Sequence, residues 1–135
     1  MPEGSWRLKV KTLRIVLPLP PKELSPNARV HWGRKARMSK RYKLSATAAT
    51  DGAQVEAGRP DGIWDAAQLK VCLYSRTAHR RDGDNLIASM KSAFDGIAIS
   101  LGVDDAHWVH LPPVQEKDAK DPRVEVLLYY LPKTT

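Results

Sequence analysis

The sequence predicts an α+β fold: a single domain over residues 1–135 in which two helices pack on one mixed β-sheet, in the order strand, helix, strand, helix, strand, strand. Three observations carry this expectation. Within residues 13–17, 67–75 and 124–128 an aliphatic residue stands at every second position from Leu13 to Leu17, Leu69 to Leu73 and Val124 to Leu128, the period of a strand with one buried face. Residues 35–56 and 85–101 contain no proline and carry apolar side chains at helical spacing. A chain of 135 residues, 42% hydrophobic and 27% charged, has room for one ordinary globular domain.

In the first strand Leu13, Ile15 and Leu17 alternate with Arg14 and Val16, and Pro18 with Pro20 ends it. Residues 18–33 read as a loop, in which the stretch from Ser25 to Trp32 mixes turn formers with a cation and two rings able to meet a nucleic acid. Ala46, Ala48, Ala49 and Ala53 favour a helix over residues 35–56, with Leu44, Ala48 and Val55 expected on its inner face. Its first half is basic, from Arg34 and Lys35 through Arg37, Lys40, Arg41 and Lys43.

After the breakers Gly58 to Gly62, Leu69, Val71 and Leu73 mark a strand over residues 67–75, followed by a basic loop with Arg76, Arg80 and Arg81. One continuous helix is expected from about Asn85 to Leu101, closed by Gly102 in a left-handed conformation. A short strand around residues 108–111, a polar loop through Pro122 and a strand carrying Val124, Val126 and Leu128 complete the chain.

Lys and Arg exceed Asp and Glu by 22 − 15 = 7, and the pI is near 9.7. Such a chain suits a polyanionic partner, either nucleic acid or an acidic membrane surface. No stretch approaches the roughly 18 apolar residues of a spanning helix, and the opening MPEGSWRLKVK lacks a signal peptide's apolar core. Cys72 is the single cysteine, so no intrachain disulfide or cysteine-based zinc module is expected and a cytoplasmic location fits. No glycine-rich loop ending in Lys-Ser or Lys-Thr occurs, so no nucleotide cofactor is expected. His107 and His110 would point to opposite faces of a strand, a poor zinc pair. Trp108 is expected in the core, whereas Trp32 suits either a core or a base-stacking role.

The most informative segment is Arg80-Arg81-Asp82-Gly83-Asp84-Asn85-Leu86, followed by Lys91, Asp95, Asp104 and Asp105. In an extended chain Asp82 and Asp84 would point to one side, where like charges repel unless a cation lies between them. Magnesium is held by one or two carboxylates together with water and substrate phosphate. Counted along an unbroken helix from Asp84, Lys91 falls about 20° to one side and Asp95 about 20° to the other. Leu86, Ile87, Met90, Phe94, Ile97 and Leu101 form a separate, apolar stripe. Each polar residue alone reads equally as a helix cap, an i, i+4 pair or a turn. Together, so many acids beside Arg80 and Arg81 in a basic chain point to metal-dependent cutting of a phosphodiester.

These residues resemble the RusA-type crossover junction endodeoxyribonucleases, the Holliday junction resolvases common among phage and prophage proteins. The resemblance rests on Arg81 to Leu86, Lys91, Phe94-Asp95-Gly96 and Gly102-Val103-Asp104-Asp105-Ala106, with Leu17 to Pro21 and Pro26-Asn27 to Trp32 similar to the family's opening strand and loop. It implies a RusA-like fold, a homodimer, and hydrolysis of four-way DNA junctions with Mg2+ held by Asp82, Asp84 and Asp105. The family's lysine falls on Ala88 when counted from the second aspartate and on Lys91 when counted back from Asp95; Lys91 is the expected catalytic cation. Arg34, Lys35, Arg37, Lys40, Arg41, Arg76, Arg80 and Arg81 are the candidates for contact with the DNA backbone. The alternatives are a non-catalytic, basic DNA-binding accessory protein and a nuclease acting on flaps or forks.

Overall fold

In the computed structural model, which describes residues 9–133, the alternating segments become strands of one sheet. These are β1 (Lys11–Leu17), β2 (Gly62–Ser75), β3 (Val109–His110), β4 (Val114–Lys117) and β5 (Arg123–Pro132). Strand β5 lies between β1 and β2, antiparallel to both. Strands β3 and β4 follow one another along the other side of β2 and run parallel to it, which makes the sheet mixed. The register aligns buried side chains in rows across three strands: Leu13, Leu128 and Leu69; Ile15, Val126 and Val71; Leu17, Val124 and Leu73. A slip of one residue would turn every one of them to the opposite face, so these rows fix the register.

The helices α1 (Trp32–Glu56), α2 (Gly83–Ser89) and α3 (Lys91–Leu101) pack on the face that carries these rows. Gly96 sets how closely α1 and α3 approach: a Cβ there would run into the backbone carbonyl of Lys43. Thr47 Oγ1 seals the crossing by donating to Lys43 O at 2.9 Å and Gly96 O at 3.1 Å.

On the opposite face Arg14 and Arg123 grip the buried Glu125 from both sides, at 2.6 and 2.8 Å. The Arg14 hydrogen bond, with Arg123 assisting, holds the Glu125 carboxyl below the usual carboxylate range against the opposing effect of burial. Arg123 also lies 4.1 Å over the Tyr74 ring. Cys72 is buried, and burial pushes its thiol pKa up, which disfavours the reactive thiolate.

Several expectations need correction. Among the described residues the sheet has five strands, because the polar loop before Pro122 contains β4; β2 begins at Gly62 and accommodates an irregularity between Ile63 and Gln68. The loop over residues 18–33 contains a 3-10 turn at Lys22–Leu24, and α1 starts at Trp32 because His31 Nδ1 accepts from the Gly33 N–H at 3.1 Å. Leu44 and Val55, expected inside, are 60% and 55% exposed, and Ala48 is exposed as well. The buried face of α1 is Tyr42, Ala46 and Thr50, because the close crossing at Gly96 admits mainly small side chains.

The continuous helix expected over residues 85–101 is instead two helices that meet at Met90, so the described residues form three α-helices rather than two. Ser89 Oγ donates to the carbonyl of Asn85 at 2.9 Å, a side-chain bond to the i−4 carbonyl of the kind that bends helices. The Met90 N–H then bonds back three residues, to Ile87 O at 3.0 Å, and ends α2. Gly102 closes α3 at φ 71°, as expected. Among the described residues no helix is long and apolar enough to cross a membrane. Of the opening MPEGSWRLKVK, read above as lacking a signal peptide's apolar core, the first eight residues lie outside the described part.

Candidate functional site

The acidic segment begins where the basic loop meets β4. The side chain of Gln115 pairs with the backbone of Arg81 in both directions: Arg81 N–H to Gln115 Oε1 and Gln115 Nε2 to Arg81 O, each at 2.8 Å. This clamp aims the next residue, Asp82, at the start of α2. Asp82 Oδ1 accepts from the N–H groups of Asp84 at 2.9 Å and Asn85 at 3.2 Å, so Asp82 is the N-cap and Asp84 stands in the first turn. The expected extended Asp82-Gly83-Asp84 segment is therefore a helix start. An N-cap carboxylate satisfies amide groups that have no partner in the helix itself.

Asp105 is carried by a separate support. Asp104 caps the 3-10 turn Asp105–His107, accepting from Ala106 N–H at 3.0 Å. The turn is tied down by Trp108, buried as expected, whose Nε1 donates to Trp64 O at 2.5 Å. His107 lies in this turn rather than in a strand, and the His110 ring packs 5.1 Å from Phe94. Asp105 lines a hollow of about 340 Å3 together with Lys91, Asp95, His110 and Phe94.

Lys91 is the exposed first residue of α3. Because the helix breaks at Met90, a count of 100° per residue from Asp84 no longer fixes its direction. What places Lys91 beside acids is the hollow it shares with Asp95 and Asp105. Asp82 and Asp84 do not line that hollow. Among the described residues no three His, Cys, Asp or Glu side chains are close enough to enclose a metal ion. The donors nevertheless suit magnesium in kind: oxygen ligands, exposed at Asp82 and Asp84 and half-buried at Asp105, with no ion pair to any of the three among the described residues. A hydrated magnesium ion needs only one or two such carboxylates.

Of the basic candidates, Arg34 holds the buried Glu23 at 2.9 Å and so ties the 18–31 loop to α1. Lys35, Arg37, Lys40, Arg41, Arg76, Arg80 and Arg81 are exposed and form no ion pair among the described residues. Beneath the break, Tyr42 Oη donates to Pro18 O at 2.8 Å and lies 3.5 Å from Met90 Sδ, anchoring α1, the first loop and the α2–α3 junction to one another. Burial pushes the Tyr42 hydroxyl pKa up, so it remains a donor.

Sequence reasoning had noted Asp95 on the polar stripe without giving it a role, and it missed Gln115 and Ser92. Only Asp95 left a signal in the sequence, its position in Phe94-Asp95-Gly96.

The molecule is thus a basic α+β protein with a helix-covered sheet, Asp82 and Asp84 at the start of α2, and Asp95 and Asp105 about a separate hollow beside Lys91. No family model matches the chain. It is 35% identical over 109 residues to an uncharacterized protein of Xylella fastidiosa, an alignment that spans 76% of this chain and 67% of the relative, and it belongs to the same family as that protein.

Proposed function

We propose that the chain is a magnesium-dependent, structure-specific endonuclease of the RusA type that resolves four-way DNA junctions, acting as a cytoplasmic homodimer. The observation that carries this reading is that Asp82, Asp84 and Asp105 stand near Lys91, Arg80 and Arg81 in sequence or space, yet none forms an ion pair among the described residues. Exposed charges of both signs that do not neutralise each other suit a ligand that brings metal ions and phosphates together.

Asp82, Asp84 and Asp105 would hold magnesium, which when bound supplies Lewis-acid polarisation of the phosphate and a more acidic water. Lys91 would donate to a phosphate oxygen as negative charge develops there. Arg80 and Arg81, immediately before the acids, would draw the strand in, while Arg37, Lys40 and Arg41 extend the contact along α1. Such contacts give affinity without reading sequence. A two-fold dimer would present two such sites to the two symmetric strands of a junction.

One observation favours a second reading. Asp82 already serves α2 as its cap, and no enclosed three-ligand site is present among the described residues, as expected of a non-catalytic DNA-binding protein. Incubation of the full chain with labelled four-way junction, with and without magnesium and beside duplex, flap and fork controls, separates the readings. Paired nicks in the junction only with magnesium are expected. Binding without cleavage would establish the second reading, and preferential cutting of flaps or forks would replace the junction as substrate. Light scattering at micromolar concentration should give the mass of a dimer.

A further inference from the structure

Of the tryptophans among the described residues, Trp64 and Trp108 are buried, whereas Trp32 is 79% exposed. It opens α1, and Trp32, Lys35, Ala36 and Ser39 share one side of the helix by their i, i+3, i+4, i+7 spacing. That side faces the α2–α3 break across a groove of about 510 Å3, completed by Lys91 and Ser92. The volume lies within the range of about 300–1,000 Å3 typical of small-ligand sites. Besides Leu24 and Pro26, the rest of the lining is small, Ala36, Ser39, Ala88 and Ser89, which leaves room for a flat ring.

Two further features specify the occupant. The groove has Lys35 and Lys91 on its walls and no carboxylate, whereas the hollow on the other side of Lys91 carries Asp95 and Asp105. Ser92 Oγ is buried in this wall without a hydrogen-bond partner among the described residues, an uncommon condition for a buried hydroxyl. An exposed indole, two ammonium groups and an unpartnered hydroxyl match a base, its phosphates and a polar base edge.

We propose that this groove seats one unpaired nucleotide of a DNA strand, with its base stacked on Trp32, its phosphates between Lys35 and Lys91, and Ser92 Oγ bonding to it. The proposal rests on the reading of the protein as a DNA nuclease and narrows its substrate to DNA that offers an unstacked base. Lys91 borders both hollows, so a strand held on Trp32 continues toward Asp95 and Asp105. An intact duplex would first have to unstack a base, which costs free energy that a branch point has already relieved.

The test is fluorescence anisotropy of a labelled short oligo-dT and of a blunt duplex, without magnesium, with the parent chain, Trp32→Ala and Trp32→Phe. Because Trp32 is exposed, thermal unfolding should be the same in all three. Trp32→Ala should weaken oligo-dT binding about tenfold, in keeping with the loss of one stacking platform. Trp32→Phe should recover most of that loss, and duplex binding should stay unchanged. Equal oligo-dT affinity in Trp32→Ala and parent, or equal losses on oligo-dT and duplex, would overturn the proposal. Junction cleavage by the parent with magnesium is scored separately. A parent that does not cut but depends on Trp32 for oligo-dT upholds the groove and removes the nuclease reading. A parent that cuts but binds oligo-dT independently of Trp32 does the reverse.

Discussion

The middle and the start of α3 are built on opposite terms. Around Gly96 the helix backbone lies against α1, and the polar groups at the crossing have partners: Thr47 bonds both helices, and Gln54 Nε2 reaches Ser100 Oγ at 2.8 Å while Ser100 Oγ donates to Asp51. One turn earlier, around Lys91, lie charged side chains without ion-pair partners and a Ser92 hydroxyl without a hydrogen-bond partner among the described residues, beside two open hollows. A buried hydroxyl left without a hydrogen bond carries a cost that packing elsewhere must offset, whereas the exposed ions around it are hydrated. Stability is concentrated at the crossing, and the capacity to bind is concentrated at the break.

The comparison is tested most severely by Asp82→Asn, Asp84→Asn and Asp105→Asn. Each should lower junction cleavage by on the order of 10²–10³ or more, as when one charge-handling group leaves an active site. Junction affinity should hold or rise, since a negative charge near phosphate is removed. Asparagine caps helices about as well as aspartate, so Asp82→Asn should melt with the parent. Parental cleavage by any of the three would sink the assignment of that residue.

Lys91→Ala should slow cleavage about a hundredfold with little change in binding, and Lys91→Arg should rescue it poorly because a planar fork does not replace a compact ammonium. A parental rate in Lys91→Ala would move the role to Arg81 or the loop before it. At the crossing the readout reverses: Gly96→Ala should cost about 1–3 kcal/mol in urea unfolding, because the added methyl meets backbone. An unfolding midpoint equal to the parent's would show that the helices can separate freely.

The smallest expected effect comes from the far face of the sheet. The Glu125 carboxyl is held below its ordinary value of 4.5, so the ion pairs contribute fully above that pH and their contribution disappears as the pH falls through the lower folded value. Glu125→Gln should reduce stability by about 1–2 kcal/mol at neutral pH, the larger figures for buried pairs being discounted because Arg14 is largely exposed. It should also flatten the loss of stability on acidification. A variant with the parent's acid-side slope would show that other carboxylates govern it.

The strands over residues 13–17, 67–75 and 124–128 were legible because one fully buried face requires an aliphatic residue at every second position, even where Val16, Cys72 and Leu127 break the polar alternation between them. Strand β4 was not, since Val114-Gln115-Glu116-Lys117 is only partly buried and shows no such period. The inner face of α1 depends on a glycine 50 residues further along the chain, at Gly96, and no local pattern in α1 reports it. The break at Met90 depends on the hydroxyl of Ser89 turning back on its own helix, one of several conformations open to a serine. For the candidate site, the residue types and their order were readable, but the arrangement was not. Asp82 can lie in an extended chain or cap a helix, and the Gln115 clamp on Arg81 that favours the cap comes from a strand the sequence did not reveal.

The position of β5 has a kinetic consequence. The strand in the middle of the β1–β5–β2 core is the last of the five in chain order, so Leu13 and Leu69 have no Leu128 between them until residues 123–132 are available. Until residues 123–132 have been made, α1 can form but the sheet stays open, and its closure joins segments more than a hundred residues apart in the chain. Such non-local closure makes folding slow, leaving apolar edges exposed to aggregation in the meantime.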